Sequence, residues 1–512
     1  MKDLKIRQSY FIYWASGIVS ICGIVFEVLF GALGSYILGD GVKQYTLTIS
    51  FFLTGMGGIG ATLSERVTKN LILSFIYIEF LVALIGGFSS FLMFGVTAFA
   101  AGGADAIFLY VITFLVGALT GVELPILIRK ANEIGVTLEK STARVLFSDY
   151  AGGLIGGLLF VFFLRPQLGM VKSAFFVGLI NLIVAMVVLY LFRRELKNKA
   201  LHTFVGIVIA ILLILGLFFG ENIAYKFEQK IYQDPIVYVE DTNYQKMVLT
   251  KDNDDVRLYL DGGLQFSSID EHRYHEVLVH IPMAQAQSHH KVLVLGGGDG
   301  LVVRELLKYK DIKEITLVDL DPAVVELANS NPHLLALNKG SLMNDKVEVI
   351  HQDAFEYLEH NKSVYDVIIV DLPDPNNESL NKLYTKEFYS LNRNHLKEAG
   401  GAMMVQATSP VFAREVYWTI SNTIRATGLH IENFHVDVPS FGNWGFVLAS
   451  RKEIQANQMM IKPKTAYLTT ELVESLTYFG EDEGPDGVTK EVNTLIDPPI
   501  LIPIYEKSWV HY

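Results

Sequence analysis

The stretch VLVLGGGDG, residues 292–300, decides the fold of the second half of the chain. Its four apolar residues predict a buried strand, and the glycines predict a sharp turn into a helix near Leu301. Such a turn lets the backbone approach a ligand closely, at Gly296 and Gly298, beside a helix N-terminus. Leu301 replaces the last glycine of the dinucleotide pattern GxGxxG, and Asp299 adds a negative charge. The turn therefore predicts a pocket for a cationic ligand.

The chain divides into two halves of different composition. Hydrophobic residues make up 51% of the 512 residues, and they are concentrated in residues 1–220. That segment carries 16 Lys and Arg against 11 Asp and Glu, which leaves 26 against 43 in residues 221–512. A strongly acidic half is a poor partner for nucleic acid but suits a positively charged small molecule.

The first half predicts a multi-pass α-helical membrane domain over residues 1–220. About 20 helical residues cross a bilayer core. Seven apolar stretches meet this requirement: Tyr10–Leu38, Gln44–Ser64, Leu71–Gly95, Asp105–Ile128, Leu146–Leu164, Val171–Phe192 and His202–Gly220. The glycine-rich segments GMGGIGA (55–61) and AGGLIGG (151–157) predict close helix packing.

The charges between these stretches predict a location in the cell membrane with the N-terminus in the cytoplasm, by the positive-inside rule. Seven crossings would then place residues 221–512 outside the cell, whereas the small-molecule chemistry inferred below favours the cytoplasm. Acids inside or beside the stretches are candidates for a functional role. The alternative is that they lie at helix ends or pair with a neighbouring helix. These acids are Glu27, Glu79, Asp105, Glu123 and Asp149.

The second half predicts a small antiparallel β domain followed by a doubly wound α/β domain. PIVYVED, YQKMVLT and VRLYLDG indicate strands at about 230–270, and a helix follows with Asp270 as its cap. The domain boundaries predicted here are 221–285 and 286–512. In the second of these, VLVLG, EITLVDLD, KVEVIHQD and YDVIIVDLPD alternate with helices. That alternation is typical of a Rossmann-like, methyltransferase-type parallel sheet, with ligands at the carboxyl ends of its strands.

Acids follow each of these four strands, and together they predict a binding pocket. Asp299 follows the first strand. Asp319 follows the second, about 20 residues past the glycine turn, where a carboxylate binds ribose hydroxyls. Asp353, followed by Ala354, is placed to accept a hydrogen bond from an adenine amino group, or to cap a helix. Asp371 and Asp374 follow the fourth strand.

The segment DLPDP, residues 371–375, is the strongest candidate for catalysis. Its prolines stiffen the loop, and two carboxylates three residues apart can hold an amine and accept its proton. The alternative is that these acids cap local turns.

These motifs resemble the aminopropyltransferases, typified by spermidine synthase. The similar segments are YQ (244–245), LDGGLQ (260–265), DEHRYHE (270–276), VLVLGGGDG, LVDLD (317–321), QDAF (352–355), DLPDP and LYTKEFY (383–389). They cover about 230–450 in the family's order. The seven-span front end is similar to the membrane-bound bacterial branch of that family.

The resemblance implies a role for each matching residue. Gln245, Asp299, Asp319 and Asp353 match residues that bind decarboxylated S-adenosylmethionine or methylthioadenosine. Gln265, Tyr274, His275 and Asp374 match the neighbourhood of the amine, with Trp444 closing it. Asp371 matches the catalytic acid/base, which works with Tyr274.

The implied reaction transfers an aminopropyl group to an amine, with putrescine favoured, and needs no metal. The sequence departs from the family pattern at three places. Asp319 stands where Glu is more common, Leu372 and Pro373 follow Asp371, and Phe441 stands near an expected Tyr.

Two alternatives stay open at this point. An S-adenosylmethionine-dependent methyltransferase would share the sheet and the ribose acid. A polyamine transporter or sensor would use the sheet domain for binding alone. The predicted partners are a small amine and the lipid bilayer, with no nucleic acid, and a homo-oligomer is left open.

Overall fold

The computed structural model describes residues 2–39, 41–100, 103–134, 137–242, 244–488, 490–498 and 500–509. The chain forms two compact units, Met1–Gln233 and Asp234–Tyr512. The predicted membrane domain ended at residue 220, but the helix there continues to Glu228. The apolar pattern stops at Gly220, whereas the backbone hydrogen bonding of the helix does not, so composition placed this boundary too early.

The first unit is helical. Its helices are Lys2–Leu38, Gly41–Thr54, Ala61–Arg66, Leu71–Phe99, Ala104–Glu133, Leu138–Leu159, Arg165–Leu191 and Lys199–Glu228, with π-helical segments at Gly55–Gly60 and Phe160–Leu164. Among the described residues, six helical runs are long and apolar enough to cross a membrane, judged by length and composition. One of them, Glu139–Leu191, has 53 residues and contains both the fifth and the sixth predicted stretches.

This 53-residue helical run turns sharply at Gly169. Gly169 has φ 65° and ψ −176°, a backbone conformation that is essentially restricted to glycine. The Ser173 hydroxyl donates a hydrogen bond to the Leu164 carbonyl at 3.1 Å. In an uninterrupted helix, residues nine apart would be separated by about 13.5 Å along the axis. The run is therefore two helical segments.

Glycines let the helices of the first unit approach closely, as the sequence predicted. A Cβ on Gly152 would lie 2.2 Å from the Gly17 carbonyl oxygen, and one on Gly60 would lie 2.5 Å from that of Ala118. The candidate acids differ in their surroundings. Glu79 and Glu123 are buried, whereas Asp105 is in the first turn of its helix and accepts a hydrogen bond from the Ala106 N–H.

The second unit begins with a four-stranded antiparallel sheet in sequence order. The strands are β1 (Ile236–Asp241), β2 (Lys246–Asp252), β3 (Asp255–Leu260) and β4 (Gly263–Ser267). The first three were predicted. The fourth lies in and just after the LDGGLQ segment and was not predicted.

The main sheet has seven strands, which follow in chain order as β5 (Lys291–Gly296), β6 (Glu314–Asp319), β7 (Val347–His351), β8 (Val367–Asp371), β9 (Ala402–Gln406), β10 (His430–Val438) and β11 (Gly442–Ser450). Their spatial order is β10-β11-β9-β8-β5-β6-β7. The strands from β5 to β9 are parallel, and β11 pairs antiparallel with β9 and β10. The predicted doubly wound parallel sheet is confirmed, with an antiparallel hairpin at one edge.

Helices cover both faces of this sheet. Alternate side chains of a strand point to opposite faces, so each strand contributes to a hydrophobic core on both sides. Val292 and Val294 of β5 enter one hydrophobic core, and Leu293 and Leu295 enter the other. The helices of the unit are Glu271–Gln285, Leu301–Leu306, Pro322–Ser330, Pro332–Asn338, Ala354–His360, Glu378–Asn381, Lys386–His395, Arg414–Arg425, Thr470–Ser475 and Leu501–Trp509. Short 3-10 turns occur at Ser341–Met343, Lys382–Tyr384 and Ala456–Gln458.

Asp270 stands at the predicted helix start but does not cap the helix with its side chain. Its carboxylate instead accepts hydrogen bonds from the Ser440 backbone N–H at 2.7 Å and from the Ser440 hydroxyl at 2.8 Å. The side chain therefore ties the start of this helix to the β10–β11 turn.

We predict that Gly296→Ala destabilises the second unit far more than Gly262→Ala. Both glycines have left-handed backbones, with φ 83° and 81°. A Cβ at position 296 would lie 2.0 Å from the Asp371 carbonyl oxygen, whereas one at position 262 would meet nothing within 4 Å. Backbone strain of about 1–3 kcal/mol is common to both, so the clash accounts for the difference. Thermal unfolding of the purified variants measures it, and equal losses in Tm would contradict the predicted packing.

Candidate active site

The glycine turn after β5 is built around a half-buried carboxylate. Asp299 accepts a hydrogen bond from the Leu301 N–H at 2.8 Å, which holds its side chain at the start of the following helix. The Asn338 amide donates to the Asp299 carbonyl at 2.9 Å. Burial raises the pKa of Asp299 to about 6, although the charge of His275 opposes the shift. Asp299 is therefore a fixed anion near neutral pH.

Asp319, at the end of β6, is hydrogen-bonded to the same turn. Its carboxylate accepts from the Gly298 N–H and from the Asp321 N–H, each at 3.0 Å. Burial raises the pKa of Asp319 to about 6, and the two backbone donors oppose that shift. Gln245 reaches this rim from the small sheet, where its amide donates to Asp321 at 3.2 Å.

Asp353 follows β7 and caps the helix Ala354–His360. Its Oδ1 accepts from the backbone N–H groups of Phe355 and Glu356 at 2.9 and 3.2 Å. Its Oδ2 forms an ion pair with Lys382 at 2.6 Å, which the sequence did not indicate. The cap alternative is therefore confirmed, and the predicted contact with adenine stays a prediction. Ala354 is buried next to it.

Asp371, the last residue of β8, accepts a hydrogen bond from the Tyr274 hydroxyl at 2.6 Å. Burial raises the pKa of Asp371, while the charge of His275 and the Tyr274 hydrogen bond lower it. Burial and the nearby Asp371 carboxylate raise the pKa of Tyr274 well above its usual value, so the phenol stays a donor. The structure therefore joins the two residues predicted to be catalytic.

Asp374 is held by donors from distant parts of the chain. Its Oδ1 accepts from the Gln406 amide at 3.2 Å, and its Oδ2 accepts from the Tyr505 hydroxyl at 3.0 Å. Burial raises the pKa of Asp374, and its hydrogen bonds with Gln406, Thr408 and Tyr505 lower it. Within the described residues, neither Asp371 nor Asp374 accepts a side-chain hydrogen bond from the backbone of its own loop. The structure therefore does not support the turn-cap alternative.

Gln406, at the end of β9, links Asp374 to the aromatic side chains of the site. Its amide nitrogen donates to the Tyr384 hydroxyl at 2.6 Å, and its carbonyl accepts from the Trp444 indole at 3.2 Å. The Trp444 ring lies 5.3 Å from the Phe441 ring, which in turn lies 6.1 Å from the Tyr274 ring. Trp444 thus lies among the residues around Asp374, and its role in closing the amine site stays a prediction.

His275 carries a positive charge inside the site. Burial lowers its pKa, but the hydrogen bond and charge of Glu271 outweigh burial and raise the pKa to about 9. Its Nδ1 lies 2.8 Å from Glu271 Oε2, and Glu271 binds Arg304 through both oxygens at 2.7 and 3.0 Å. A histidine cation disfavours direct contact with an ammonium group. The role of His275 in amine binding stays a prediction.

Gln265 is the predicted residue that the structure does not connect to the others. Its amide donates to the Gly263 carbonyl of its own strand at 3.1 Å. Across the described ranges, it forms no hydrogen bond with another site side chain. No group of three or more His, Cys, Asp or Glu side chains that could hold a metal ion occurs among those residues.

Several residues of the site were not predicted from the sequence. Gln406 ends the fifth parallel strand, so the strand-end rule that identified the acids applies to it as well. Glu271 and His275 have the four-residue spacing of side chains that meet on a helix, which could have indicated their pairing. Tyr505 carries no local signal, because its partner is 131 residues away in the sequence.

The sheet order, the glycine turn and the acids at the strand ends define a Rossmann-like α/β domain with a row of acidic residues at the carboxyl ends of its strands. A family model described as the spermine/spermidine synthase domain matches residues 271–460. A polyamine aminopropyltransferase of Oceanobacillus iheyensis is 68% identical and covers 100% of both chains. Another, of Leptospira interrogans, is 39% identical over 96% of this chain and 97% of its own.

The chain belongs to the polyamine aminopropyltransferase family and is an enzyme of the spermidine synthase type. The family prediction is thereby confirmed. Membership favours aminopropyl transfer over the methyltransferase and over the transporter or sensor that only binds. Among solved structures, the spermidine synthase of Thermotoga maritima is 25% identical over 48% of this chain and 85% of its own, with a TM-score of 0.45.

We predict that His275→Gln moves the acidic limb of the pH–activity profile to higher pH. The charge of His275 lowers the pKa of both Asp299 and Asp371. Without that charge both pKa values rise, so the ionised carboxylates are lost at a higher pH as the pH falls. The profile of kcat/KM reports groups of the free enzyme, and we expect a shift of roughly one pH unit.

The matched control is His272→Gln, which makes the same change on the same helix. His272 is partly exposed and forms no hydrogen bond among the described residues. Its profile should equal that of the unmodified enzyme. If His275→Gln is active and its pH–activity profile is not shifted, the charge of His275 does not control the ionisation of these carboxylates.

Proposed function

We propose that the enzyme transfers the aminopropyl group of decarboxylated S-adenosylmethionine to putrescine or a related diamine, giving spermidine and methylthioadenosine. The observation that carries this proposal is the 2.6 Å hydrogen bond from Tyr274 to Asp371, with Asp374 three residues further on. Two half-buried carboxylates three residues apart suit a dication. One can receive a proton from the reacting nitrogen while the other holds an ammonium.

The reaction is a direct displacement. A free amine has a pKa near 10, so it arrives protonated and must lose a proton before it attacks. Asp371 accepts that proton, and Tyr274 holds the carboxylate oriented. The amine lone pair then forms a bond to the aminopropyl carbon next to sulfur. The carbon–sulfur bond breaks with its electron pair on sulfur, so the sulfonium becomes the neutral thioether methylthioadenosine.

The acids at the other strand ends suit the cofactor. Asp299 pairs with the ammonium of the decarboxylated cofactor and repels the extra carboxylate of ordinary S-adenosylmethionine. Asp319 accepts from the ribose hydroxyls. Asp353, beside Ala354, accepts from adenine once Lys382 shares or leaves its carboxylate. Support for this part comes from the burial of Asp299 and Asp319 and from their fixed positions at the glycine turn.

The amine side is formed by Asp374 with Gln406 and the aromatic rings of Trp444 and Phe441. The hydrogen bonds that hold Asp374 come from uncharged groups, so they orient the carboxylate without neutralising it. A full negative charge therefore remains for an ammonium group. We also assign Gln265 to the amine side, because it matches a residue near the amine in the family.

We predict that Asp371→Asn lowers kcat by roughly 10²- to 10⁴-fold, the usual contribution of a general base. Asparagine keeps the shape of the side chain but cannot take up the proton. Binding of decarboxylated S-adenosylmethionine should change little. Release of methylthioadenosine with putrescine as acceptor measures the rate, and calorimetry measures binding.

Asp345→Asn is the matched control, since Asp345 is exposed in the same unit. It should retain full activity. Unchanged turnover in Asp371→Asn would exclude Asp371 as the base. Methyl transfer from S-adenosylmethionine, with no methylthioadenosine formed from the decarboxylated cofactor, would overturn the proposed reaction itself.

We further propose that the first unit crosses the cell membrane seven times. The turn at Gly169 supports this count, because it separates the 53-residue helical run into two segments. An odd number of crossings puts the two chain termini on opposite sides. The substrates favour a catalytic unit in the cytoplasm, and the loop charges favour an N-terminus in the cytoplasm. With seven crossings, only one of these two locations can be correct.

Reporter fusions test this topology. Fusions of a phosphatase, active only outside, and of a fluorescent protein, active only inside, are made at each terminus. We expect the two termini to give opposite signals, and the C-terminal pair shows which side holds the catalytic unit. Equal signals at both termini would show an even number of crossings.

A further inference from the structure

The C-terminal segment beyond residue 460 lies outside the matched family domain, which ends at that residue. It nevertheless folds back onto the second unit. Leu501 is fully buried in the core that also contains Tyr384 and Val416, and Ile504 and Tyr505 pack against that core. The last helix, Leu501–Trp509, is thus part of the catalytic unit.

Asn493 fixes this segment to the loop that follows Asp374. Its side-chain amide donates to Asn381 Oδ1 and to the Tyr384 carbonyl, both at 3.1 Å. Its backbone carbonyl accepts from the Lys386 N–H at 2.8 Å, and its N–H donates to the Thr423 hydroxyl at 3.0 Å. Asn493 is itself buried, so these bonds are shielded from water.

Tyr505 extends from the last helix to the amine-binding carboxylate. Its hydroxyl donates to Asp374 Oδ2 at 3.0 Å, while Gln406 donates to Oδ1 at 3.2 Å. Because each oxygen accepts a hydrogen bond, the plane of the carboxylate is fixed. Gln406 belongs to the parallel sheet of the family domain, but Tyr505 does not.

We propose that Tyr505 is a positioning residue for the amine acceptor, supplied by the C-terminal segment and acting through Asp374. The inference rests on the proposed function, since it assigns Asp374 to the ammonium group. A phenol is suited to this position because it donates a hydrogen bond without adding a charge. A lysine there would pair with Asp374 and compete with the amine.

The effect of Tyr505 should be confined to the amine side of the reaction. Asp374 follows β8 and is held by Gln406 at the end of β9. The acids assigned to the cofactor lie elsewhere, in the turn after β5 and at the ends of β6 and β7. Loss of the phenol hydroxyl leaves Asp374 with a less fixed orientation. The KM for putrescine then rises while the KM for decarboxylated S-adenosylmethionine does not.

The test is Tyr505→Phe in the full-length enzyme, which removes the hydroxyl and keeps the ring in its packing. We expect the KM for putrescine to rise about tenfold, in line with the usual strength of a hydrogen bond to a charged group. The KM for decarboxylated S-adenosylmethionine should stay within twofold of that of the unmodified enzyme. Thermal unfolding confirms that the variant is folded.

Tyr478→Phe is the matched control, because Tyr478 lies in the same C-terminal segment with its side chain exposed. It should leave both KM values unchanged. A Tyr505→Phe enzyme that matches this control would overturn the role of Tyr505, as would an equal rise in both KM values. If the unmodified enzyme forms no methylthioadenosine with any diamine, the proposed function fails instead, and the two failures are distinguishable.

Discussion

The second unit depends on keeping several half-buried carboxylates ionised along one rim of its main sheet. Asp299, Asp319, Asp371 and Asp374 all follow strands of one sheet, and burial raises the pKa of each. Like charges at short distance also raise each other's pKa. A pocket for cations must hold these charges in place without supplying a cation that would occupy the site. Most of the side-chain arrangement around the pocket follows from this requirement.

The protein meets the requirement in two ways. Uncharged donors hold most of the carboxylates: backbone N–H groups for Asp299 and Asp319, a phenol for Asp371, and an amide with a phenol for Asp374. A buried cation near them, His275, is tied to Glu271, which is also bound to Arg304. Because Glu271 holds His275 in place, the positive charge of His275 stabilises the ionised carboxylates without direct contact. The carboxylates therefore stay free to bind a ligand. Asp353 differs, since Lys382 pairs with it directly.

The features that could be predicted from the sequence are those set by local pattern. The strands of the parallel sheet are short apolar runs, and the carboxyl ends of parallel strands share one rim, so acids after successive strands had to lie near one another. Gly296 could be predicted because the glycine turn is a local motif, whereas its contact with Asp371 on the neighbouring strand is set by the fold. The partners of those acids could not, because Gln406, Lys382 and Tyr505 reach them through contacts between distant segments. The helix at residue 220 was ended too early for a related reason, since hydropathy reports the solvent and not the hydrogen bonding of the backbone.

The sheet alone would not distinguish this enzyme from other proteins with a Rossmann-like domain, since one fold supports many chemistries. What distinguishes it is the sign of the charge at each strand end. A glycine turn whose N–H groups faced a phosphate would need no acid at position 299, whereas here Asp299 itself takes the Leu301 N–H. The turn has thereby lost one donor for an anion and gained a fixed negative charge. Under the proposed function, this one side chain makes the backbone geometry that serves anionic cofactors in other proteins half of a site for a cation.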